Sequence, residues 1–131
     1  KGNIFAENYL TDNEVHKILI HDDHAILAND ADGLTIMDLS LPEHPAPTEN
    51  IKTDGKAMDI LIRDDFLYVA CTKGVEVYNI HKINNIYKVD QFSGSGYNFQ
   101  KLEMEDDYLY ATYKSGWWFW KKYGMMIFAI E

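Results

Sequence analysis

Three short stretches of the sequence hold side chains that could carry chemistry. Residues 21–24, His-Asp-Asp-His, place two imidazoles beside two carboxylates, which are groups that bind metal ions. Residues 29–33, Asn-Asp-Ala-Asp-Gly, have the alternating oxygen ligands that open a calcium loop, without the glutamate that completes one downstream. Residues 115–124 concentrate three tryptophans, a phenylalanine and a tyrosine, which suit stacking on sugar or aryl rings or anchoring a partner protein.

An internal repeat changes the interpretation of the first two stretches. Segments 21–24, 63–66 and 105–108 read HDDH, RDDF and EDDY, and they follow one another at intervals of 42 residues. Only the Asp pair recurs, so the pair is interpreted as a hairpin turn, because Asp tolerates left-handed backbone angles. The calcium-like segment has no acidic counterpart in the other two copies. We therefore expect no metal site and no cofactor.

The repeat unit is typical of a blade built from β-strands. Each unit has two apolar runs around the Asp pair, then a glycine and a third apolar run, and segments 46–55 and 85–94 can add a fourth strand. Both alternating faces of such a strand are apolar, as in residues 66–70, which favours sheets covered on both sides. The prediction is an all-β chain of about three four-stranded antiparallel β-propeller blades, a partial ring or fragment, with approximate repeats at 14–55, 56–97 and 98–131.

Residues 24–47, in the first repeat, resemble the LVIVD repeat family. The second repeat keeps the strand and glycine pattern over residues 69–80 but lacks the prolines, and the third departs most. The resemblance implies a bacterial or archaeal β-propeller in an exported or cell-surface protein, either periplasmic or attached to the outer membrane, with no family chemistry to transfer. The matching residues are Ala28, Asn29, Gly33, Leu34, Ile36, Asp38, Leu39, Ser40, Pro42 and Pro45.

Three blades are too few to close a propeller, which generally needs about four to eight. The chain begins at Lys1 without a methionine and ends within an apolar, strand-like run. We therefore expect further blades of a parent chain, or other copies of this chain, to complete the ring.

The topology of a meander predicts where a binding site lies. The loops between second and third strands emerge at the same end as the connectors between blades, and the Asp turns emerge at the other end. We call the first end the loop face; it comprises residues 29–32, 53–56, 72–73, 93–98 and 114–123. The ligand-binding candidates on it are Trp117, Trp118, Trp120, Tyr123, Tyr97 and Asn98.

The aromatic stretch has an alternative role in packing. Trp117 and Phe119 would then face inward, and Trp118 and Trp120 would cap a further blade. Exposure of Trp118 or Trp120 favours docking of a ligand, and burial of both would exclude it.

Composition excludes several classes of function. The formal net charge is −9, from 21 acidic and 12 basic residues, which argues against a nucleic-acid binder because phosphate contacts need clustered Lys and Arg. No apolar run reaches the roughly 18 residues of a membrane-spanning helix. A single cysteine, Cys71, excludes an internal disulfide framework.

Catalysis has little support in the sequence. Ser93, Ser95 and His81 lack the spacing of a nucleophile motif. Two sets of equivalent positions at the first strands of the three blades also form no repeated set of acids and bases. These positions are His16, Met58 and Gln100, and Lys17, Asp59 and Lys101. The predicted function is a non-catalytic binding or scaffold module of a cell-envelope propeller that docks a protein or glycan on its loop face. The alternative is a propeller hydrolase or lyase, or a metal-dependent module, whose decisive residues lie in blades that this chain lacks.

Overall fold

The chain folds into three antiparallel sheets. The computed structural model describes residues 2–94, 96–116 and 118–131, and within these residues it contains eleven β-strands and no helix. Each sheet is a meander whose strands pair in chain order. The prediction of an all-β chain of antiparallel blades is therefore confirmed.

Blades 1 and 2 have the predicted four strands each, and blade 3 has three. Among the described residues, the third sheet comprises three strands. Blade 1 contains β1 (Lys17–His21), β2 (His24–Ala28), β3 (Leu34–Asp38) and β4 (Ala46–Ile51). Blade 2 contains β5 (Ala57–Arg63), β6 (Phe66–Cys71), β7 (Gly74–Asn79) and β8 (Tyr87–Ser93). Blade 3 contains β9 (Tyr97–Glu105), β10 (Tyr108–Ser115) and β11 (Lys122–Ala129).

The Asp pairs form the first hairpin turn of every blade, as predicted. The first aspartate of each pair, Asp22, Asp64 or Asp106, has a left-handed backbone with φ of 47°, 54° and 52°. Non-glycine residues seldom adopt this conformation, and Asp is among the few that tolerate it. The recurring acid is therefore a backbone requirement of the turn.

One hydrogen bond repeats in all three blades and shows that the repeats are structurally equivalent. The carbonyl of the second aspartate accepts the backbone N–H of the residue that follows the third strand, at 2.8 Å in each blade. This bond ties the turn to the end of the third strand at the same place in every unit. The three pairs are Leu39 with Asp23, Ile80 with Asp65 and Ile130 with Asp107.

The second hairpin of blade 3 is longer than those of blades 1 and 2. Cys71 pairs with Gly74 in blade 2, and the residue 42 positions after Cys71, Tyr113, pairs with Gly124 in blade 3. Beyond this point β10 and β11 continue to the pair Ser115 and Lys122. Residues 114–123 were expected to leave the blade as a loop, but the two ends of this segment extend the hairpin. The strands β10 and β11 reach Ser115 and Lys122, so less of the segment lies outside the sheet than the sequence predicts.

Two hydrophobic cores lie between successive blades. The core between blades 1 and 2 is built on Ile26, Leu34 and Ile36 from blade 1 and on Ile60, Leu67, Val69 and Tyr78 from blade 2. The core between blades 2 and 3 joins Tyr68 and Val75 to Phe99, Leu102 and Leu109. Blade 2 is thus covered on both faces, as the doubly apolar strands predict. The three blades stack in chain order as part of a propeller and do not close a ring.

Candidate functional site

The loop face forms because the connectors between blades hydrogen-bond to the loops between second and third strands. Thr72 donates its backbone N–H to the Lys56 carbonyl at 3.0 Å, and its hydroxyl accepts the Lys56 N–H at 2.8 Å. Gly94 likewise donates to the carbonyl of Lys73 at 3.1 Å. These bonds hold the connectors and loops of blades 1 and 2 at one end of the stack.

A turn at the tip of the long hairpin presents aromatic side chains to solvent. Gly116 allows this turn, because its φ of 89° is left-handed and a Cβ there would collide with the Trp120 carbonyl oxygen. Trp118 is 84% exposed and Trp120 is 73% exposed, and Phe119 lies edge-on to Trp120 with ring centroids 6.3 Å apart. The exposure of both tryptophans favours docking over the packing alternative.

A cavity of about 430 Å³ lies beside this turn and contains three lysines. In the part of the chain that the structure describes, none of these three lysines forms an ion pair with a carboxylate. Three lysines around one cavity contrast with the net charge of −9 for the whole chain. We call this cavity the lysine pocket; it is lined by Thr72, Gly96, Asn98, Lys114, Ser115, Gly116, Lys121, Lys122 and Tyr123.

The structure brings some of the candidate residues together and separates another from them. Asn98 and Tyr123 line the lysine pocket, while Trp118 and Trp120 lie on the turn between two of its lining residues, Gly116 and Lys121. Trp117 lies outside the described residues.

Tyr97 is the candidate that the structure places elsewhere. Its ring does not line the pocket but packs edge-on against Tyr113, with ring centroids 5.0 Å apart, and stacks on Phe99 at 6.1 Å. Lys114 and Thr72 lie within the predicted loop face but were not among the ligand-binding candidates, and the strand register brings both to the pocket. The concentration of lysines at positions 114, 121 and 122 of an acidic chain was the sequence signal that could have identified Lys114.

The two stretches that suggested metal ligands have structural roles. His24 shares a hydrogen bond with the carbonyl of Asp22 at 2.6 Å, and His21 lies 3.4 Å from the Asp22 carboxylate. The described residues contain no group of three or more His, Cys, Asp or Glu side chains placed to hold a metal ion.

Asp30, in the calcium-like segment, uses its carboxylate to tie loops together. It lies 2.8 Å from His16 Nε2, accepts the Ala31 N–H at 2.8 Å, and lies 3.9 Å from the Lys56 ammonium. The hydrogen bond from His16, and then that from Ala31 and the charge of Lys56, lower the pKa of Asp30 below its ordinary value. The carboxylate is therefore held as an anion that joins blade 1 to the connector.

Asp59 is a buried carboxylate on β5 that links all three blades. It accepts the backbone N–H of Ile60 at 3.0 Å and that of Leu102, on blade 3, at 2.8 Å. Its other neighbour is Lys17, on blade 1, whose ammonium lies 3.8 Å away. Because its oxygens already accept backbone and lysine donors, we interpret Asp59 as a tie between the innermost strands.

Glu76 is a second buried carboxylate, on β7, and it is fully enclosed. It accepts the Tyr78 hydroxyl at 2.6 Å, the Asp54 N–H at 3.1 Å and the Lys88 ammonium at 3.1 Å. Burial and the bond to Glu76 raise the pKa of Tyr78, and burial raises the pKa of the Cys71 thiol. The phenol and the thiol are thus held protonated, which suits structural roles better than nucleophilic ones.

The comparison with protein families finds a match in the first two blades. A family model described as LVIVD repeat matches residues 14–53 and 54–77. The first match covers blade 1, and the second covers β5, β6 and most of β7. No curated protein matches the chain. Among the described residues, no helix has the length and apolar character needed to cross a membrane.

Proposed function

Because the chain contains two consecutive LVIVD repeats, we propose that it is a non-catalytic binding module of an exported or cell-surface propeller, which holds an acidic glycan on its loop face. The observation that carries this proposal is the pairing of the exposed aromatic turn with the lysine pocket. The binding role and the envelope location were both expectations from the sequence, and the lysine pocket adds the charge of the ligand.

The aromatic turn supplies the apolar part of the binding energy. Sugar rings have apolar faces that stack on flat side chains, and large rigid aromatic groups provide contact area at little cost in conformational entropy. Trp118 and Trp120 are held on a turn that Gly116 fixes, so they are presented rather than folded onto the sheet. A repeating chain of sugar rings could therefore lie along the turn.

The lysine pocket supplies the selection for negative charge. Its volume of about 430 Å³ is within the range of small-ligand sites, and hydroxyl and amide groups of Thr72, Ser115 and Asn98 accompany the lysines. Such groups match the hydroxyls of a sugar, and the ammonium groups match its carboxylates. An acidic peptide shares the charge but has no regular succession of stackable rings, so we favour the glycan.

Binding of polygalacturonate, a polymer of uronic acid, tests the proposal against neutral dextran. We expect calorimetry or affinity electrophoresis to detect binding of the acidic polymer and not of the neutral one. The double variant Trp118→Ala/Trp120→Ala is expected to weaken binding about tenfold, or about 1.4 kcal/mol. The double variant Lys121→Gln/Lys122→Gln is expected to weaken it by a smaller factor and to reduce its dependence on salt.

A matched control uses the opposite end of the blades. Lys82 and Tyr87 line a cavity near the Asp65 turn, away from the loop face, and the double variant Lys82→Gln/Tyr87→Ala removes one lysine and one exposed aromatic group there. This variant should bind polygalacturonate as the unaltered chain does. Equal binding of dextran, an equal loss in the control variant, or capture of an acidic peptide but no polymer would overturn the glycan proposal.

A further inference from the structure

A second cavity, of about 400 Å³, lies at the loop-face end of blade 1 and shares no lining residue with the lysine pocket. Its volume is within the range of small-ligand sites. Asp12, Asp32 and Glu49 contribute to its lining, and the described residues that line it include no Lys, Arg or His. We call it the blade 1 cavity. Its charge is opposite to that of the lysine pocket.

Asn29 brings a buried hydrogen-bond acceptor to the blade 1 cavity. This residue lines the cavity and is only 3% exposed. Its side-chain oxygen, Oδ1, has no hydrogen-bond partner among the residues that the structure describes. Buried polar atoms are nearly always paired, so an unpaired one points to a partner from outside the chain.

A chain of three hydrogen bonds fixes which way the Asn29 amide faces. The Asp32 backbone carbonyl can only accept, so Asn50 directs its Nδ2 to that carbonyl at 2.8 Å. Asn50 Oδ1 then accepts the Thr35 hydroxyl at 2.9 Å. Because that hydroxyl has a single hydrogen, its oxygen accepts Asn29 Nδ2 at 3.1 Å. Oδ1 is therefore the atom of Asn29 without a partner, and what it requires is a donor.

The equivalent place in blade 2 contains an ammonium group. Glu76 pairs with Gln91 across β7 and β8, at the position where Thr35 of blade 1 pairs with a fourth-strand asparagine. Lys88 reaches both residues of the blade 2 pair. Its ammonium donates to Glu76 at 3.1 Å and to Gln91 at 2.7 Å. Thr35, which contacts Asn29, is thus the equivalent of a residue that binds an ammonium.

Pro47 occupies in blade 1 the position that Lys88 occupies in blade 2. In both blades the pairing of the third and fourth strands has a bulge, and the first pair beyond it is Met37 with Pro47 or Tyr78 with Lys88. Pro47 also lines the blade 1 cavity. Proline carries no ammonium, so blade 1 does not itself supply the cation that blade 2 supplies from its own chain.

The segment before β1 has the same turn as the connector between blades 1 and 2. The Thr11 hydroxyl donates to the Asn13 carbonyl at 2.8 Å, and the Thr53 hydroxyl donates to the Gly55 carbonyl at 3.0 Å. Thr11 and its neighbour Asp12 line the blade 1 cavity. The cavity is therefore bounded by parts of the repeat that recur in blade 2.

We propose that the blade 1 cavity binds the primary ammonium group of a small organic amine, in the place that the Lys88 ammonium takes in blade 2. An ammonium offers three N–H donors, of which one satisfies Asn29 Oδ1. Asp12 adds an attractive charge at the cavity. The described residues hold no group of three or more His, Cys, Asp or Glu placed for a metal ion, which favours an amine over a bare cation. The inference does not rest on glycan binding by the lysine pocket.

Calorimetry with three probes tests the proposal. Putrescine, a short diamine, supplies ammonium groups with N–H donors. Tetramethylammonium carries the charge without N–H donors, and butanediol has a similar chain without the charge. We expect putrescine to bind and the other two probes to bind at least about tenfold more weakly.

Substitution of Pro47 tests the equivalence with blade 2. Pro47→Lys supplies an ammonium from the chain itself and should weaken putrescine binding at least about tenfold, because the two cations compete for one place. Pro47→Met is the matched control, since it has nearly the length of lysine without the charge. It should weaken binding by a smaller factor. Equal losses in the two variants would overturn the proposal.

Two further variants examine the groups that receive the ammonium. Asn29→Leu removes the buried acceptor at similar volume and should weaken putrescine binding about tenfold or more. Its sheet circular dichroism and urea midpoint report whether it folds, and Asp12→Asn serves if it does not. Asp12→Asn should weaken binding about threefold, whereas Asp54→Asn, at the equivalent place in the next connector, should leave it unchanged.

The outcomes that contradict the proposal are distinct from those for the glycan. Equal binding of the three probes, equal effects of Asp12→Asn and Asp54→Asn, or binding of calcium in place of putrescine would each overturn it. Loss of polygalacturonate binding in the lysine-pocket variants leaves the binding of putrescine unaffected, because the two cavities share no lining residue.

Discussion

Blades 2 and 3 share one strand plan but have different surroundings. Blade 2 has a neighbour on each face, and its apolar residues on both faces are buried, whereas blade 3 buries only the face that meets blade 2. Val75 and Met125 occupy the same register position, and only the former is covered. In a stacked repeat, the apolar pattern of the sequence therefore shows which side chains can be buried. Whether a given side chain is buried depends on whether a neighbouring blade covers it.

The polar residues of the two blades differ in the same way. Glu76 lies within blade 2 on the face that meets blade 1, where the connector and Lys88 saturate its carboxylate. The equivalent position in blade 3 is Met126, which packs in the core between blades 2 and 3. Blade 3 instead has three lysines near the tip of its long hairpin. In blade 2 the buried charge of Glu76 therefore fixes structure, whereas in blade 3 the charged lysines face solvent.

The largest expected effect compares one position in two surroundings. Ile60→Ala removes a side chain that is buried between blades 1 and 2, and the cavity should lower the free energy of unfolding by about 2–5 kcal/mol. Ile18→Ala makes the same change at the equivalent exposed position and should cost less than about 1 kcal/mol. Urea unfolding measures both values. Equal losses would contradict the contrast between covered and open faces.

A smaller effect tests the buried charge of blade 2. Lys88→Met removes the ammonium 3.1 Å from Glu76, and the partly uncompensated carboxylate should lower the free energy of unfolding by about 2 kcal/mol. The matched control Lys82→Met alters an exposed lysine that forms no ion pair in the described part of the chain, and should change stability by less than about 0.5 kcal/mol. Adding Glu76→Gln to Lys88→Met should recover part of the loss. If Lys88→Met is as mild as its control, the pair does not stabilise the blade.

The sequence predicted the parts of the fold that local chemistry decides. The Asp turns follow from the tolerance of Asp for left-handed angles, and the 42-residue period placed the strands and the loop face. Neither the length of the last hairpin nor the packing of Tyr97 could be predicted, because both depend on pairing between β10, β9 and β11. The register of these strands is set by contacts across the sheet and not by local preference.

The candidate site was predicted only in part for the same reason. Trp118, Trp120 and Tyr123 became candidates because residues 115–124 are unusually rich in aromatic side chains. The lysine pocket, by contrast, arises from residues that the long hairpin and the connector bring together. Asp59 was noted as a first-strand residue, yet its bond to the Leu102 N–H spans 43 residues. Contacts of this kind become visible only when the blades are stacked.

The smallest expected effect concerns Asp30, which ties blade 1 to the connector that leads to blade 2. Its pKa in the folded chain lies below the ordinary value of 3.8, chiefly because of the hydrogen bond from His16. A lowered pKa means that the charged carboxylate stabilises the fold at pH values above about 4, and that this contribution is lost as the pH falls through the folded pKa.

Asp30→Asn should therefore lower the free energy of unfolding at pH 6 by up to about 1 kcal/mol, and the difference from the unaltered chain should shrink as the pH is lowered to 2. Asp32→Asn, in the same loop, is the control, because the Asp32 carboxylate forms no ion pair among the residues that the structure describes. Urea unfolding at several pH values measures both variants. A difference for Asp30→Asn that stayed constant from pH 6 to pH 2 would show that the carboxylate acts through its shape, and the tie between blades would then owe nothing to its charge.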